Sequence, residues 1–542
     1  MMSCKVAILG GGVGGLSAAH ELIERGFAVS VFERNNVFGG KARSLYVPNS
    51  GIGGRSDLPG EHGFRFFPAF YKHLPDTLMR IPFAGNVSVF NNLVHATRIE
   101  VAQAGKSPLT LTGRLPQDME DWLLAFKEIF AGIGVPDDEV LYFADRLLTL
   151  LTSCPERRVS EYEQIPWWTF IGAESRSASY QTLLAKGLTR SLVAVRAQEG
   201  STRTAGYILL QLIFGILTWG GFDRLLSGPT SEVWLSPWTQ YLSEKGVQFQ
   251  PDTTVKAFKT NASGITGVTI EQAGHQTDIL ADFYIAALPV EIMTGLVTDE
   301  MKTLAPSLAH LGDLRTAWMN GIQFFLKQDV PLDFGHTLYA DSPWALTSVS
   351  QRQFWQQANL ANYGDGLVGG ILSVDISDWE TPGILYGKPA MQCTAQEIRD
   401  EAWAQMKAHL NVAGAEPIRD DNLLTWFLDP DVQFPNPSAV TNLEPLLINT
   451  ANSLQYRPNA DTEIPNLLLA SDYVRTFTDL ACMEAANEAA RRAVNAILTK
   501  TDSNQIPASV WEMQEPDCFK PLIEYDRLRF RMGLPHTSLG PI

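Results

Sequence analysis

Lys5-Val6-Ala7-Ile8-Leu9-Gly10-Gly11-Gly12-Val13-Gly14-Gly15-Leu16 is the stretch whose reading decides the fold. Residues 5–9 read as a buried strand, the glycines as a tight turn, and residues 16–25 as a helix whose Leu16, Ala19, Leu22 and Ile23 share one face. Gly26 stops that helix, and a second strand over 28–32 delivers Glu33 at its C-terminal end. The glycines satisfy G-x-G-x-x-G directly after a strand and directly before a helix. Gly10 permits the turn, Gly12 lets backbone approach a pyrophosphate, and Gly15 allows close helix–strand packing, with Gly14 in the same turn. The helix N-terminus, with its unsatisfied N–H groups, favours the phosphate charge. A carboxylate at Glu33 accepts hydrogen bonds from an adenosine ribose diol. The fold class that follows is α/β, with a Rossmann-type dinucleotide-binding unit at the N-terminus.

This motif serves NAD and FAD equally, and two further stretches decide for FAD. Gly39-Gly40-Lys41-Ala42-Arg43 follows Glu33 closely, where backbone N–H groups meet a pyrophosphate–ribityl chain that continues past the first helix. Gly40, Lys41 and Arg43 are its candidate cofactor contacts, solvated cations being the alternative for the last two. Leu469-Ala470-Ser471-Asp472 reads as a strand ending in a carboxylate, and Met483-Glu484-Ala485-Ala486 opens a helix. A helix N-terminus aimed at a flavin pyrimidine stabilises the negative charge that develops there on reduction. Asp472 and Met483 are therefore candidate cofactor residues. Glu484 reads as a first-turn carboxylate that complements the helix dipole.

At 542 residues the chain is too long for one ordinary core. Residues 1–91, 227–290 and 465–500 carry the α/β pattern and are assigned to an FAD-binding domain. Residues 92–226 and 291–464 are assigned to an interleaved substrate-binding domain with a mixed sheet and a helical subdomain. Helices are predicted over 118–133, 140–151, 238–245, 395–410 and 483–498, and strands over 247–249, 254–258, 267–271, 367–374 and 466–470. Residues 501–542 form a tail with no assigned role. The charge-free run 204–222 is broken by Gln211 and glycines, and reads as a buried helix lining an apolar cavity rather than a membrane span.

Composition excludes several classes. With 42 Lys+Arg against 59 Asp+Glu, the net charge of −17 repels nucleic acid. The 5 cysteines are scattered without a CxxC pair, which points to reduced thiols and a cytoplasmic location, with peripheral contact to a membrane left open. The 9 histidines include no HxH or HxxxH spacing, so no metal site is expected. Nothing in the sequence bears on oligomeric state.

Together these segments resemble the flavin amine oxidase and phytoene desaturase superfamily. Its chains begin with the glycine motif, continue into Glu-Arg (here Glu33-Arg34) and Gly-Gly (Gly39-Gly40), and close with an Asp-containing flavin segment ending in Met-Glu-Gly-Ala. The resemblance is closest to the plant and cyanobacterial type of phytoene and ζ-carotene desaturases and runs in pieces over nearly the whole chain. Glu61-His62-Gly63-Phe64-Arg65-Phe66-Phe67 is similar to a family segment that passes beside the flavin ring, which implies that Gly63 and Phe64 touch the cofactor. Gly228-Pro229, Glu232, Pro237 and Lys245-Gly246-Val247 are similar to its central segment, which implies Val255 at the adenine. Residues 281–289 resemble its Asp-x-Tyr-Val-x-Ala-x-Pro strand. Three departures leave substrate and reaction type open: Arg65 stands for the family's His, Ala485 for its Gly, and the stretch from Asp472 to Met483 is one residue longer.

Arg65 and His62 are the candidate catalytic residues. A guanidinium near the flavin stabilises an anionic hydroquinone or orients a polar substrate end, and an ion pair with Glu61 is the alternative. His62 is a candidate proton carrier. Trp167, Trp168, Phe170, Tyr207, Phe214 and Trp219 are candidates for lining a long apolar tunnel, with core packing the alternative for each. The expected function is an FAD-dependent oxidoreductase, a desaturase or isomerase acting on an elongated isoprenoid- or carotenoid-like molecule, with quinone or oxygen as electron acceptor. Amine oxidation releasing hydrogen peroxide is the alternative, with Tyr473 and Phe477 as part of an aromatic cage. A prenyl-binding escort-type protein without flavin is a third reading, and the intact Gly10, Gly12, Gly15 and Glu33 argue against it.

Overall fold

The computed structural model describes residues 4–111, 116, 119–187, 190, 195–217, 223–330, 332–436 and 439–537. Five parallel strands form the first sheet, in the order Gln248–Gln250, Ala28–Phe32, Lys5–Leu9, Phe283–Ala286 and Leu467–Leu469. Its central strands are apolar on both faces, with Val6, Ile8, Val31, Tyr284, Ile285 and Leu468 buried, as a sheet covered on both sides requires. Chain order reverses between Lys5–Leu9 and Phe283–Ala286. A crevice therefore opens beyond the C-terminal ends of these two strands, where such sheets bind ligands.

Helices Val13–Ile23 and Met483–Lys500 pack against each other and the sheet. Small residues make this approach possible: a Cβ on Gly14 would run into the Ala470 carbonyl oxygen, and the facing turns of the second helix carry Ala485, Ala486, Ala489 and Ala490. An antiparallel meander, Thr253–Asn261, Gly264–Gln272 and His275–Ile279, leads from the sheet's edge strand back to Phe283–Ala286.

The second large sheet has seven strands, in the order Leu109–Leu111, Arg98–Ala102, Gly335–Tyr339, Leu346–Ser350, Gly370–Ile376, Asn320–Leu326 and Leu423–Leu428. Only the Arg98–Ala102 and Gly335–Tyr339 pair is parallel. Helix Ala395–Leu410 covers part of it through Ile398, Ala402 and Met406. A smaller sheet, Phe66–Pro68, Asp223–Leu226 and Leu93–Ala96, stands beside the crevice. Helices Met119–Ile129, Asp137–Leu151 and Tyr207–Leu217 form a separate core around Phe143, Leu147, Trp167 and Leu210.

Predicted and observed elements differ in instructive places. The helix expected over 140–151 starts three residues earlier, at Asp137, because Pro136 takes the N-cap and three acidic residues fill the first turn. The helix expected over 118–133 is Met119–Ile129. In the run 204–222, helix Tyr207–Leu217 is observed, while 218–222, Trp219 among them, lie outside the described residues. No helix among the described residues is long and apolar enough to cross a membrane. The tail does have a structural role. Phe519 is fully buried in the helical core, and Asp526, on helix Lys520–Arg531, accepts hydrogen bonds from Cys154 N (2.8 Å) and Arg157 Nε (3.0 Å).

Candidate active site

One cavity of about 400 Å³ runs from the end of the parallel sheet to the face of the seven-stranded sheet. It is lined at one end by Gly10, Gly12, Gly14, Glu33, Arg34 and Val255, and farther along by Gly40, Lys41, Gly63, Phe64, Arg65, Asp472 and Met483. Three stretches far apart in sequence, the glycine turn, the Val255 strand and the Asp472 segment, thus face the same space.

The glycine turn shows what that space accommodates. Gly10 has φ +104°, and a Cβ there would run into the Ala287 carbonyl oxygen; one on Gly15 would run into that of Gly10. Those glycines are demanded by the protein's own packing. Gly12 differs, because a Cβ on it would meet nothing nearer than Gly40 Cα at 3.7 Å. Packing does not require glycine at that position, whereas a ligand lying against the backbone does. Gly39 N donates to Gly11 O (2.8 Å), and this bond fixes the second Gly-Gly turn beside the first. Helix Val13–Ile23 begins with no side-chain cap and no acidic residue in its first turn, so its free N–H groups and partial positive charge remain available to an anion. Glu33 is buried at the strand end, with Oε2 accepting from Gly11 N (2.8 Å) and Oε1 from Asn35 N (2.9 Å). Its backbone bonds to Thr253 N (2.7 Å), which brings Val255 to the same end.

The middle of the cavity is charged. Arg65 donates to the Lys41 carbonyl oxygen, and its remaining exposure is to the cavity it lines. Burial lowers its pKa, against the pull of Glu61, Asp375 and Asp429. Asp375 is the residue that sequence reasoning missed. Burial pushes its carboxyl up to about 7, with Arg65 and His62 opposing, and its Oδ1 is buried without a hydrogen-bond partner among the described residues. Gly63 makes this approach possible, since a Cβ there would sit 2.5 Å from Asp375 Oδ1. The available signal was a carboxylate within the apolar run Ile371-Leu372-Ser373-Val374-Asp375-Ile376, every residue of which is buried. His62 lines the cavity with Nδ1 2.5 Å from Asp429 Oδ2. Burial raises the Asp429 pKa, but His62 and Asn320 outweigh it and hold that carboxyl low. His62, Asp429 and Asp431 also form a cluster with ligand-type atoms within 4.8 Å of one another, a grouping no local spacing could reveal.

Several predicted contacts lie elsewhere. Arg43 does not line the cavity; it is buried in ion pairs with Glu444 (3.1 Å) and Asp431 (3.2 Å), tying the second Gly-Gly turn to the 431–444 segment. Arg34 lines the cavity and also pairs with Glu444 (2.7 Å), and Lys41 bonds the Pro445 carbonyl oxygen. Gly15 packs behind the turn. Glu484 is buried and accepts from the backbone N–H groups of Lys72, His73 and Leu74 at 2.6–2.8 Å, so it caps helix His73–Arg80. None of the described tunnel candidates Trp167, Trp168, Phe170, Tyr207 and Phe214 lines the cavity; all five belong to the helical core or its margin. Ile208 and Leu212 line it instead, together with Phe66, Phe70, Leu288 and Ile292. Tyr473 is fully buried outside the cavity, and Phe477 stacks on Arg492 (4.5 Å), so neither contributes to a cage.

Residues 13–498 match the family of flavin containing amine oxidoreductases. The chain belongs to that family. A ζ-carotene desaturase from Synechocystis sp. is 23% identical over 534 residues, covering 91% of this chain and 97% of that protein. A 4,4'-diaponeurosporene oxygenase from Staphylococcus haemolyticus is 45% identical over 52 residues, 10% of each chain. Among solved structures, cyclohexylamine oxidase from Brevibacterium oxydans superposes with TM-score 0.62 at 13% identity, over 92% of this chain and 100% of that one. An oxidoreductase from Methanosarcina mazei gives 0.58 at 13% identity, over 91% and 100%. Such identities establish the fold. A family member of this kind is an FAD-dependent oxidoreductase, and the open Gly12 cradle, the uncapped helix start and the ordered Glu33 carboxylate fit that cofactor.

Proposed function

We propose that this flavoenzyme acts on an elongated apolar, isoprenoid- or carotenoid-like substrate, as a desaturase that removes hydride or, with no net oxidation, as a cis/trans isomerase working with reduced flavin. The observation that carries the reading is the composition of this cavity's walls. Beyond the charged zone its walls include Phe66, Phe70, Ile208 and Leu212, with no aromatic pair from Tyr473 and Phe477 to frame an ammonium head. The relative named a ζ-carotene desaturase supports it over nearly the full length. Bound FAD supplies the hydride acceptor.

In this reading the N–H groups at the start of helix Val13–Ile23, with Gly12 and Gly40, hold the pyrophosphate, and Glu33 takes the adenosine ribose. Val255 lies at the adenine, and Gly63, Phe64, Asp472 and Met483 border the flavin. Arg65 offers positive charge where negative charge develops on reduction, and Asp375 and His62 are positioned to exchange the departing proton. The apolar wall aligns the chain and excludes water. A quinone or oxygen restores the oxidised cofactor.

Amine oxidation remains the second reading, favoured by the solved oxidase that shares the fold. Anaerobic mixing of the holoprotein with acyclic polyisoprenoids, unsaturated fatty acids and amines discriminates the two. Loss of the oxidised-flavin absorbance with the polyisoprenoids alone is the expected result. Bleaching by amines, with peroxide on readmission of air, overturns it.

A further inference from the structure

Beyond the Phe66 and Leu212 wall lies a second, smaller cavity of about 30 Å³, with those two residues lining both spaces. It is almost wholly aliphatic, bounded by residues such as Ile99, Leu209, Ile213 and Leu338. Two polar side chains break that pattern, Asp223 and His336. They come from different sheets, Asp223 at the start of the strand Asp223–Leu226 and His336 within Gly335–Tyr339. They approach to 3.5 Å, Nε2 to Oδ2, and are 4% and 2% exposed. The imidazole is held edge to face between Phe64 (5.2 Å) and Phe66 (4.9 Å), the former also lining the main cavity.

A buried structural pair of this kind normally completes its hydrogen bonds, because an unmet polar atom in an apolar interior is destabilising. Here Asp223 Oδ1 and His336 Nε2 are both buried and without a hydrogen-bond partner among the described residues. Their donors and acceptors converge on a space that holds one oxygen-sized group.

We infer that Asp223 and His336 form a recognition subsite for an uncharged oxygen, a hydroxyl or carbonyl, at the oxygenated end of the elongated substrate, the end nearer its reacting carbon. This inference rests on the reading of the main cavity as a site for an elongated apolar molecule, and narrows it from pure hydrocarbons to chains with one oxygenated terminus. Charge supports the choice. Burial pushes the Asp223 carboxyl up to about 7 and the His336 imidazole down to about 4, and the one ionic group acting on Asp223 is its neighbour Arg224. Both groups are therefore neutral together between about pH 4 and about pH 7, which suits an alcohol or carbonyl and disfavours an ammonium or carboxylate end. Phe64 and Phe66 hold the imidazole edge to face and so fix its orientation.

The test compares geranylgeraniol with the hydrocarbon in which a methyl replaces its terminal CH₂OH, titrated into anaerobic holoprotein and followed by the perturbation of flavin absorbance. Wild type is expected to bind the alcohol at least about tenfold more tightly. Asp223→Leu and His336→Phe are each expected to shrink that ratio below about threefold, whereas Asp223→Asn, which keeps one donor and one acceptor in place, is expected to retain it. Because both ligands are measured on the same variant, a general loss of stability cancels from the ratio, and the near-isosteric Asn change guards against misfolding. Equal affinities in wild type, or an undiminished ratio in both Asp223→Leu and His336→Phe, overturn the subsite and leave the elongated-substrate reading standing. Failure of both ligands to bind, with amines bleaching the flavin, removes that reading and the subsite with it.

Discussion

The two ends of the cavity are made in different ways. Around Gly12 the surface is backbone: N–H groups, carbonyl oxygens and missing Cβ atoms contributed by residues close in sequence. Around Arg65, and in the small cavity beyond it around Asp223, it is side chains, drawn from strands such as Phe66–Pro68, Asp223–Leu226, Gly335–Tyr339 and Gly370–Ile376, hundreds of residues apart. The first construction tolerates almost no substitution and binds a part common to many cofactors. The second keeps the framework fixed while individual charges and apolar groups change, so it is where a reaction and a substrate are chosen.

The glycines give the sharpest way to break this contrast. Gly15→Ala drives a Cβ into the Gly10 carbonyl oxygen, a backbone atom that no rotamer change can move. Strain on the order of 3 kcal/mol is expected, about a hundredfold in FAD affinity, and the purified protein should be close to colourless with a lowered denaturation midpoint. Gly12→Ala separates the two causes, since its Cβ has 3.7 Å of clearance from protein. It should lose flavin while the apoprotein unfolds at the wild-type midpoint. Equal loss of apoprotein stability in both variants would show that the Gly12 position serves packing after all.

This division also explains what could be read from the chain. The strand–glycine turn–helix unit, Glu33 and the helix at Met483 are local patterns, and observed bounds such as Ala395–Leu410 coincide with those expected. The Gly14 and Gly15 contacts follow from the same rules. Asp223 and His336 had no such signature, and the carboxylate of Asp375 within its apolar run becomes meaningful only when a distant strand pairs beside it. The aromatic residues take the core-packing alternative for a related reason. Trp167 and Phe170 are apolar enough to line a tunnel, but their ring stacking at 6.0 Å is spent within the helical core. The cavity wall came instead from Ile208 and Leu212, on the same helical run that sequence had marked. The tail had no periodicity to read, since its anchors, Phe519, Ile523 and Asp526, dock by single contacts on a surface formed elsewhere.

Breaking that tail contact should affect one region and spare the other. Asp526 neutralises Arg157, which is 1% exposed at the side chain. Asp526→Ala leaves the guanidinium with Glu161 and the Leu534 carbonyl oxygen, so a destabilisation of about 2–3 kcal/mol is expected, short of the loss for an entirely unpaired buried charge. The decrease should appear in the unfolding midpoint, with flavin content per folded molecule unchanged. A colourless but stable Asp526→Ala protein would mean that the helical region shapes the cofactor end as well.

An effect that is small over any single pH unit probes the charged middle of the cavity, where the two constructions meet. Asp375 has its carboxyl pushed up to about 7 by burial, against an ordinary value of 3.8. Between those limits the folded chain holds a proton there that the unfolded chain has released. Folding stability supplied by this group is therefore complete at low pH and declines as pH rises toward 7, at no more than about 1.4 kcal/mol per pH unit. Asp375→Asn cannot titrate, so its stability relative to wild type should improve steadily from pH ~4 to pH ~7 and then level off. Denaturant midpoints of the two proteins across that range measure the difference directly, and changes common to both cancel. A difference that stays flat with pH would mean that Arg65 holds Asp375 as a permanent carboxylate, leaving it an anchor for the guanidinium and no store for a proton. The proton-exchange role would then fall to His62 alone.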